Sequence, residues 1–287
     1  MSSQPLVFDR ITCMLFTPAN RPDRYEKVPG TGADGIVIDL EDAVSLEEKD
    51  SARATLVQYF KQHGSVAAKR PFVTSIRLNN LHTAAGAKDL VAIRESGIHP
   101  DIFVMPKVQS PEEVEILESH LVGPQADILL VALIETGKGL QLADKIAKSG
   151  TRLKALVFGG ADLAADMGAV LEWEPMLYAR SRIVQAAASA GIEAFDVPYL
   201  NLQDISGLVP ECERVKALGF RGKFAIHPKH VASIMNTFKP DDAEVQRARR
   251  IVASFEGAKG NASEIDGKMI DVPVYRSAKR TLALVGV

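Results

Sequence analysis

Eight short apolar runs rich in β-formers recur along the chain and set the strongest limit on its fold. They cover Ile11–Thr17, Gly35–Leu40, Phe72–Leu78, Asp101–Pro106, Asp127–Ile134, Ala155–Phe158, Glu193–Val197 and Phe220–Ile226. Successive starts lie about 24 to 38 residues apart, room for one strand, one helix and two turns. The intervening segments have helical composition and periodicity, as in Lys138–Lys148, Pro175–Ala190 and Asp204–Leu218. Ser45-Leu-Glu-Glu48 and Ser110-Pro-Glu-Glu113 read as capping boxes, the second with Pro at the first helical position. Eight strand–helix units predict a (β/α)8 TIM barrel over residues 1–238. The main rival is a doubly wound open sheet, and no Gly-x-Gly-x-x-Gly follows the first run to support dinucleotide binding. Residues 239–287 read as an appendage: a helix over Asp241–Ala258, glycines at 257, 260 and 267, then a lid-like tail with a helical end.

Bulk properties narrow the function by exclusion. A net charge of −2 over 287 residues gives no electrostatic case for nucleic acid or an acidic membrane. The longest uninterrupted apolar stretch, Ile128 to Ile134, falls far short of the ~20 residues that span a bilayer. Asp9 and Arg10 stand where a secretory signal would be apolar, so a cytoplasmic protein is expected. Cys13 and Cys212 form no disulfide framework or metal spacing, and Cys13 reads as a small buried hydrophobe.

What ends each run carries the chemistry. The second run ends in Asp39-Leu-Glu41-Asp42, the third in Arg77-Leu-Asn-Asn80 and the fourth in Pro106-Lys107. Glu135-Thr136 closes the fifth, Gly159-Gly-Ala-Asp162 the sixth, and Asp196 and His227 the last two. A barrel gathers all of these ends on one rim, where its chemistry is done. Taken singly, each is as well explained by a cap or a turn. Glu135 and Asp162 have no obvious basic neighbour in sequence, and two carboxylates with waters suit Mg2+. Arg77 offers a planar fork for a carboxylate or enolate oxygen. Lys107 invites a Schiff-base reading, which its surroundings in sequence do not favour. Trp173 reads as an anchor for the next helix, and His63, His82, His99, His120 and His230 as surface residues.

These motifs resemble the citrate lyase β-subunit/malyl-CoA lyase family of the HpcH/HpaI aldolase superfamily. The resemblance rests on Leu15-Phe-Thr-Pro-Ala-Asn-Arg-Pro-Asp-Arg24, Gly35-Ile-Val-Ile-Asp-Leu-Glu-Asp-Ala-Val44 and Ile76-Arg-Leu-Asn79. It continues through Met105-Pro-Lys-Val108, Leu133-Ile-Glu-Thr136, Phe158-Gly-Gly-Ala-Asp-Leu163, Ala225-Ile-His-Pro228 and Asp266-Gly-Lys-Met-Ile-Asp-Val-Pro273. It implies a Mg2+-dependent carbon–carbon lyase that cleaves a β-hydroxyacyl-CoA to a short acyl-CoA and a keto acid such as glyoxylate, pyruvate or oxaloacetate. By the same resemblance Glu135 and Asp162 are metal ligands and Arg77 holds substrate. Asp39, Glu41 and Asp42 support the metal waters and Arg77, Arg21 and Lys27 lie near CoA, and Asp271 is a lid aspartate reaching a neighbouring subunit. A homo-oligomer, trimer or hexamer, is implied. Ala161 departs from the acidic residue many relatives carry before the sixth-strand aspartate, which bears on substrate choice. Three other readings are a class II aldolase acting on free hydroxy-keto acids, a carrier-protein-docking subunit of a citrate lyase complex, and a non-catalytic metabolite-binding barrel, against which the intact set Arg77, Glu135 and Asp162 argues.

Overall fold

Hydrogen bonds between the first and eighth strands close a ring. The computed structural model describes Phe8 and residues 11–66 and 71–286, so Asp9 and Arg10, on which the argument against export rests, lie outside the described residues. β1 (Met14–Pro18) pairs with β2 (Gly35–Asp39), β2 with β3 (Val73–Arg77), and β3 with β4 (Ile102–Met105). β5 (Leu129–Ile134), β6 (Leu153–Phe158), β7 (Glu193–Asp196) and β8 (Gly222–Lys223) follow in order, all parallel. A parallel bridge from Leu15 to Ala225, with the Phe16 amide donating to the Ala225 carbonyl at 2.8 Å, joins the ends. This is the (β/α)8 barrel, and the open-sheet alternative is set aside.

The outer ring comprises α1 (Lys49–His63), α2 (Ala84–Ser96), α3 (Pro111–His120), α4 (Gly137–Gln141) and α5 (Ala143–Ala147). It continues with α6 (Gly160–Asp166), α7 (Trp173–Ala190), α8 (Ile205–Leu218) and α9 (Pro228–Phe238). Val37, Val73, Ile102, Val104, Val131, Leu133, Ala155, Val157, Phe195 and Phe224 fill the barrel interior, and a larger apolar layer, Cys13 within it, lies between strands and helices. Both faces of the strands are therefore buried, which is why the sequence shows near-continuous apolar runs rather than alternation.

Several local expectations shift. The helix expected over Lys138–Lys148 breaks at Leu142 (φ −98°, ψ 7°) into α4 and α5, and the eighth strand keeps only two ladder residues. Neither serine-led capping box forms. The Ser45 hydroxyl donates to Glu48 Oε2 at 3.1 Å, and Glu113 Oε1 accepts from the Gln109 amide at 2.9 Å, one residue before Ser110. A reciprocal box forms instead at Asp241–Glu244, opening α10 (Asp242–Gly257).

Beyond α10 a hairpin of β9 (Ser263–Ile265) and β10 (Lys268–Ile270) leads to α11 (Val272–Leu284). Its turn, Asp266-Gly267, has φ of 51° and 71°, the two positive values a type I′ hairpin turn demands. Ala248, Ile251, Phe255, Ile270, Ala278 and Leu282 give this arm a small core of its own. Arg280 pairs with Glu193 at 2.8 Å, and Lys239, just before α10, with Asp34 at 3.6 Å. Glu193 opens β7 and Asp34 precedes β2, so both pairs lie at the end of the barrel opposite the strand C-termini. Among the described residues no helix is long and apolar enough to cross a membrane.

Candidate active site

Strand periodicity decides which strand-end residues face the barrel axis. Counting in twos from the interior residues Val37, Val73, Leu133 and Val157 brings Asp39, Arg77, Glu135 and Gly159 inward at the C-terminal rim. These residues, with Asp42, Asp162 and Arg24, border a cavity of about 420 Å³. Phe16, Leu133, Val157, Val197, Leu200 and Ile226 form its apolar side.

Asp39 is 1% exposed and holds Arg77 from below, Nε to Oδ1 at 2.7 Å and Nη2 to Oδ2 at 2.6 Å. Its oxygens also accept the amides of Glu41 (2.9 Å) and Ala43 (3.1 Å), which fixes the turn after β2. Arg77 Nη1 reaches Glu41 at 2.9 Å and Asp42 at 3.2 Å. The two-point fork is thus spent on Asp39, and three of the five guanidinium N–H groups are hydrogen-bonded to carboxylates of this chain, the Glu41 contact being an ion pair whose Oε2 accepts no hydrogen bond among the described residues. What remains for a ligand is two N–H groups, not the open two-point fork the sequence suggests. Burial opposes the charge on Arg77, yet Asp39 and Glu41 more than offset it and hold the guanidinium firmly protonated.

The supporting contacts are backbone-directed. Lys49 Nζ donates to the carbonyls of Leu40 (2.7 Å) and Glu41 (2.5 Å), pinning the acidic turn. Buried Asp89 accepts from the Asn79 amide at 2.7 Å and from Arg53 at 2.6 Å, anchoring the segment after Arg77.

Glu135 is 3% exposed, and its Oε2 accepts the Lys107 amide at 2.8 Å. Burial, reinforced by the nearby Glu41 charge, pushes its pKa up to about 8. Burial likewise raises Glu41, to about 7. Gly159 makes room for Glu135: a Cβ there would stand 2.0 Å from Glu135 Cγ. Asp162, in the first turn of α6, is more open to solvent.

The two carboxylates do have a basic neighbour, contrary to the sequence expectation. Lys107 Nζ lies 2.5 Å from Glu41 Oε1, 3.4 Å from Asp42 and 3.7 Å from Asp162. Burial disfavours its charge, but Glu41, Glu135 and Asp42 outweigh that and raise its pKa. A protonated ammonium is no nucleophile, so the Schiff-base reading falls.

Other assignments move as well. Asp196 faces the helices, not the cavity: it pairs with buried Lys223 at 2.5 Å and Arg180 at 3.1 Å, and Val197 takes the rim position. His227 caps α9, its Nδ1 accepting the Lys229 amide at 3.2 Å. His230 is fully buried rather than at the surface. Trp173 anchors α7, its ring 4.0 Å beneath the Arg214 guanidinium. Arg21 is exposed and paired with Asp23 at 2.8 Å, and Lys27 is exposed, while Arg24 between them borders the cavity. Arg21, Arg24 and Lys27 recur every third residue, the repeat that aligns side chains on a 3-10 helix such as Pro22–Thr31. Asp271 lies outside the cavity lining and caps α11, Oδ1 accepting the Val274 amide at 3.2 Å.

The donor set fits Mg2+. Among the described residues no three His, Cys, Asp or Glu side chains converge as a cage, so an ion held by Glu135 and Asp162 would keep waters or substrate oxygens, as Mg2+ does.

A carboxylate-rimmed (β/α)8 barrel with one buried arginine at its mouth is the framework of an aldolase-type lyase. The chain belongs to the HpcH/HpaI aldolase/citrate lyase family, whose model matches residues 12–228. It is 31% identical to the mitochondrial citramalyl-CoA lyase of Homo sapiens over 94% of this chain and 84% of that one. To the citrate lyase subunit beta of Leuconostoc mesenteroides subsp. cremoris it is 33% identical, covering 94% and 92%. The solved structure of CitE from Mycobacterium tuberculosis, in complex with magnesium, acetoacetate and coenzyme A, matches with a TM-score of 0.78 at 29% identity, over 97% of this chain and 99% of that one. A Mg2+-dependent lyase of CoA esters fits this membership.

Proposed function

We propose that the chain cleaves a β-hydroxyacyl-CoA reversibly into a short acyl-CoA and an α-keto acid. The observation that carries this reading is the meeting of Arg77, Glu135 and Asp162 on one cavity whose remaining lining is largely apolar. Held by Glu135 and Asp162, Mg2+ would act as a Lewis acid that lowers the pKa of the substrate hydroxyl and orients the keto-acid carboxylate. Arg77, its orientation fixed by Asp39, Glu41 and Asp42, directs a free N–H at the thioester oxygen where enolate charge develops. Because its partners are already in place, little reorganisation is needed as that charge appears. The apolar side, with Phe16, Val157, Val197 and Leu200, favours a keto acid with hydrogen or methyl beside the carbonyl, glyoxylate or pyruvate, over oxaloacetate. Arg21, Arg24 and Lys27 face the CoA phosphates as a basic stripe.

Asp271 is our choice of base for the hydroxyl proton. Its arm is tied to the far end of its own barrel, so we assign it to the rim of a neighbouring subunit in a trimer or hexamer.

One assay tests the reading. Malyl-, citramalyl- and citryl-CoA are each incubated with Mg2+ and enzyme, and acyl-CoA and keto-acid products are read together, with Glu135→Ala and Asp162→Ala as controls. Cleavage of a malyl or citramalyl thioester that both variants lack is expected. Turnover of CoA-free hydroxy-keto acids alone would identify an aldolase. Inertness toward every free acyl-CoA, relieved by a carrier-protein thioester, would identify a complex subunit.

A further inference from the structure

Lys107 has a backbone that most residues avoid. Its φ of 52° lies in the left-handed region, where a Cβ is disfavoured unless the surroundings enforce it. They do so on both sides. Its amide donates to Glu135 Oε2 at 2.8 Å, its carbonyl accepts from Asn80 Nδ2 at 3.5 Å, and the next amide, Val108, donates to the Leu133 carbonyl at 3.2 Å.

This local reversal turns the side chain back over the acidic rim instead of out to solvent. One residue thereby touches both carboxylates assigned to the metal, Glu135 through its amide and Asp162 through its ammonium. Arg77 is already committed to Asp39, Glu41 and Asp42, which leaves Lys107 as the positive charge beside Asp162. Its contacts are graded: 2.5 Å to Glu41, 3.4 Å to Asp42 and 3.7 Å to Asp162. The longest contact is therefore the one a competing cation displaces most readily.

We propose that Lys107 is a resident cation of the metal-free rim, holding Glu41, Asp42 and Asp162 together until Mg2+ arrives and then yielding Asp162 to it. It is a positioning residue, and the proposal rests on the assignment of Mg2+ to Glu135 and Asp162. Held near the ion by Glu41, the ammonium opposes the metal's charge and keeps its affinity moderate. Without the ammonium the rim has excess negative charge, so the metal-free protein is less stable and Mg2+ is bound more tightly.

The experiment combines calorimetric Mg2+ titration, without substrate, and thermal unfolding with and without saturating Mg2+. It compares the full-length wild type, Lys107→Met, Lys107→Arg, Glu135→Ala and Asp162→Ala. Lys107→Met is expected to bind Mg2+ about tenfold more tightly, a factor equivalent to about 1.4 kcal/mol. It should melt below wild type without Mg2+ and recover most of the difference with it, and Lys107→Arg should keep near-wild-type affinity. Should Lys107→Met fail to fold, Lys107→Gly suits the positive φ and carries the same expectation for Mg2+ affinity, though not for melting, since it also relieves the backbone strain. Unchanged or weaker Mg2+ affinity in the charge-deleted variant, or equal losses of melting temperature with and without Mg2+, overturns the resident-cation role and leaves a merely structural lysine. If Glu135→Ala and Asp162→Ala both bind Mg2+ as wild type does, the metal assignment itself fails, and this proposal with it. Loss of binding in those two beside wild-type affinity in Lys107→Met removes only the role of Lys107.

Discussion

Gly159→Ala adds one methyl group to the rim and tests whether the orientation of Glu135 governs the site. The new Cβ would lie 2.0 Å from Glu135 Cγ, 2.7 Å from Oε1 and 2.8 Å from Cδ. Carbon atoms in contact sit ~3.5–4.0 Å apart, so Glu135 must retreat by about 1.5 Å. The backbone need not change, because Gly159 has φ −94° and ψ 69° and needs no glycine-only conformation. Glu135 is buried, so it moves by turning its carboxylate and giving up the Lys107 amide bond. A misplacement of ~1 Å at a reacting centre costs on the order of 100-fold in rate. Overpacking of this kind costs about 1–3 kcal/mol, a fall of a few degrees in melting temperature for a chain this long. The expected variant is therefore folded, slightly less stable, and down about 100-fold or more in kcat/KM, with weakened Mg2+ binding. Calorimetric titration and steady-state kinetics on the same preparation decide it. Wild-type turnover and Mg2+ affinity in Gly159→Ala would show that Glu135 tolerates another orientation, and its role as a metal ligand would lose its geometric support.

Arg77→Lys is expected to lose about 100-fold or more in kcat/KM, because an ammonium cannot span Asp39, Glu41 and Asp42 and still present a donor; near-normal kinetics would make Arg77 structural only. Glu135, with its pKa pushed to about 8, is largely protonated at pH 6 and, as the proposed metal ligand, would have to ionise to bind Mg2+, so binding should release a proton there and almost none above pH about 9. Titrations in buffers of different ionisation enthalpy read this directly, and no pH dependence would contradict it. The same shift fixes the sign for stability: between the ordinary carboxylate range and about 8 the folded state holds the proton more tightly than the unfolded chain, so the metal-free protein loses stability as pH rises through that window, as melting curves will show. Asp271→Asn keeps a good cap on α11 and should fold normally while cleavage fails, whereas Asp271→Ala should also destabilise by about 0.5–2 kcal/mol; activity regained on mixing Asp271→Asn with Glu135→Ala subunits locates the base in trans, and full activity of Asp271→Asn alone removes it from the chemistry.

The barrel was legible because its signal is coarse. Recurrent β-rich runs survive errors of a few residues, so a helix broken at Leu142 and an eighth strand of two residues leave the architecture untouched. Fine features depend on atoms that spacing cannot see. Ser45 and Ser110 have the capping-box pattern, yet in each case a glutamate takes another partner within one turn. The opposite error occurs in the arm, where Asp266-Gly267 is a hairpin signal between two short β-forming stretches. Its strands are too short to rise above the surrounding polar composition.

The same contrast separates the site residues that sequence could place from those it could not. A strand-end residue faces the axis or the helices according to whether its number is even or odd relative to a known interior neighbour. Phe195 lies inside the barrel, so Asp196 had to point outward and Val197 inward, and the buried contacts of Asp196 with Lys223 and Arg180 follow from that count. Parity alone, applied to all eight runs, would have withdrawn Asp196 from the rim. The threefold repeat of Arg21, Arg24 and Lys27 would likewise have drawn attention to Arg24, which borders the cavity. Lys107 is of another kind. It follows β4 beyond the last ladder residue, where parity no longer applies, and its direction is set by a positive φ that nothing in Met-Pro-Lys-Val announces. What imposes that φ is the amide bond to Glu135, a residue 28 positions away, so the orientation of Lys107 exists only once β5 is in place beside β4. Pairing of the fourth and fifth strands therefore sets Glu135 and the direction of Lys107 together, while the carboxylates that Lys107 meets arrive from the turn after β2 and from α6.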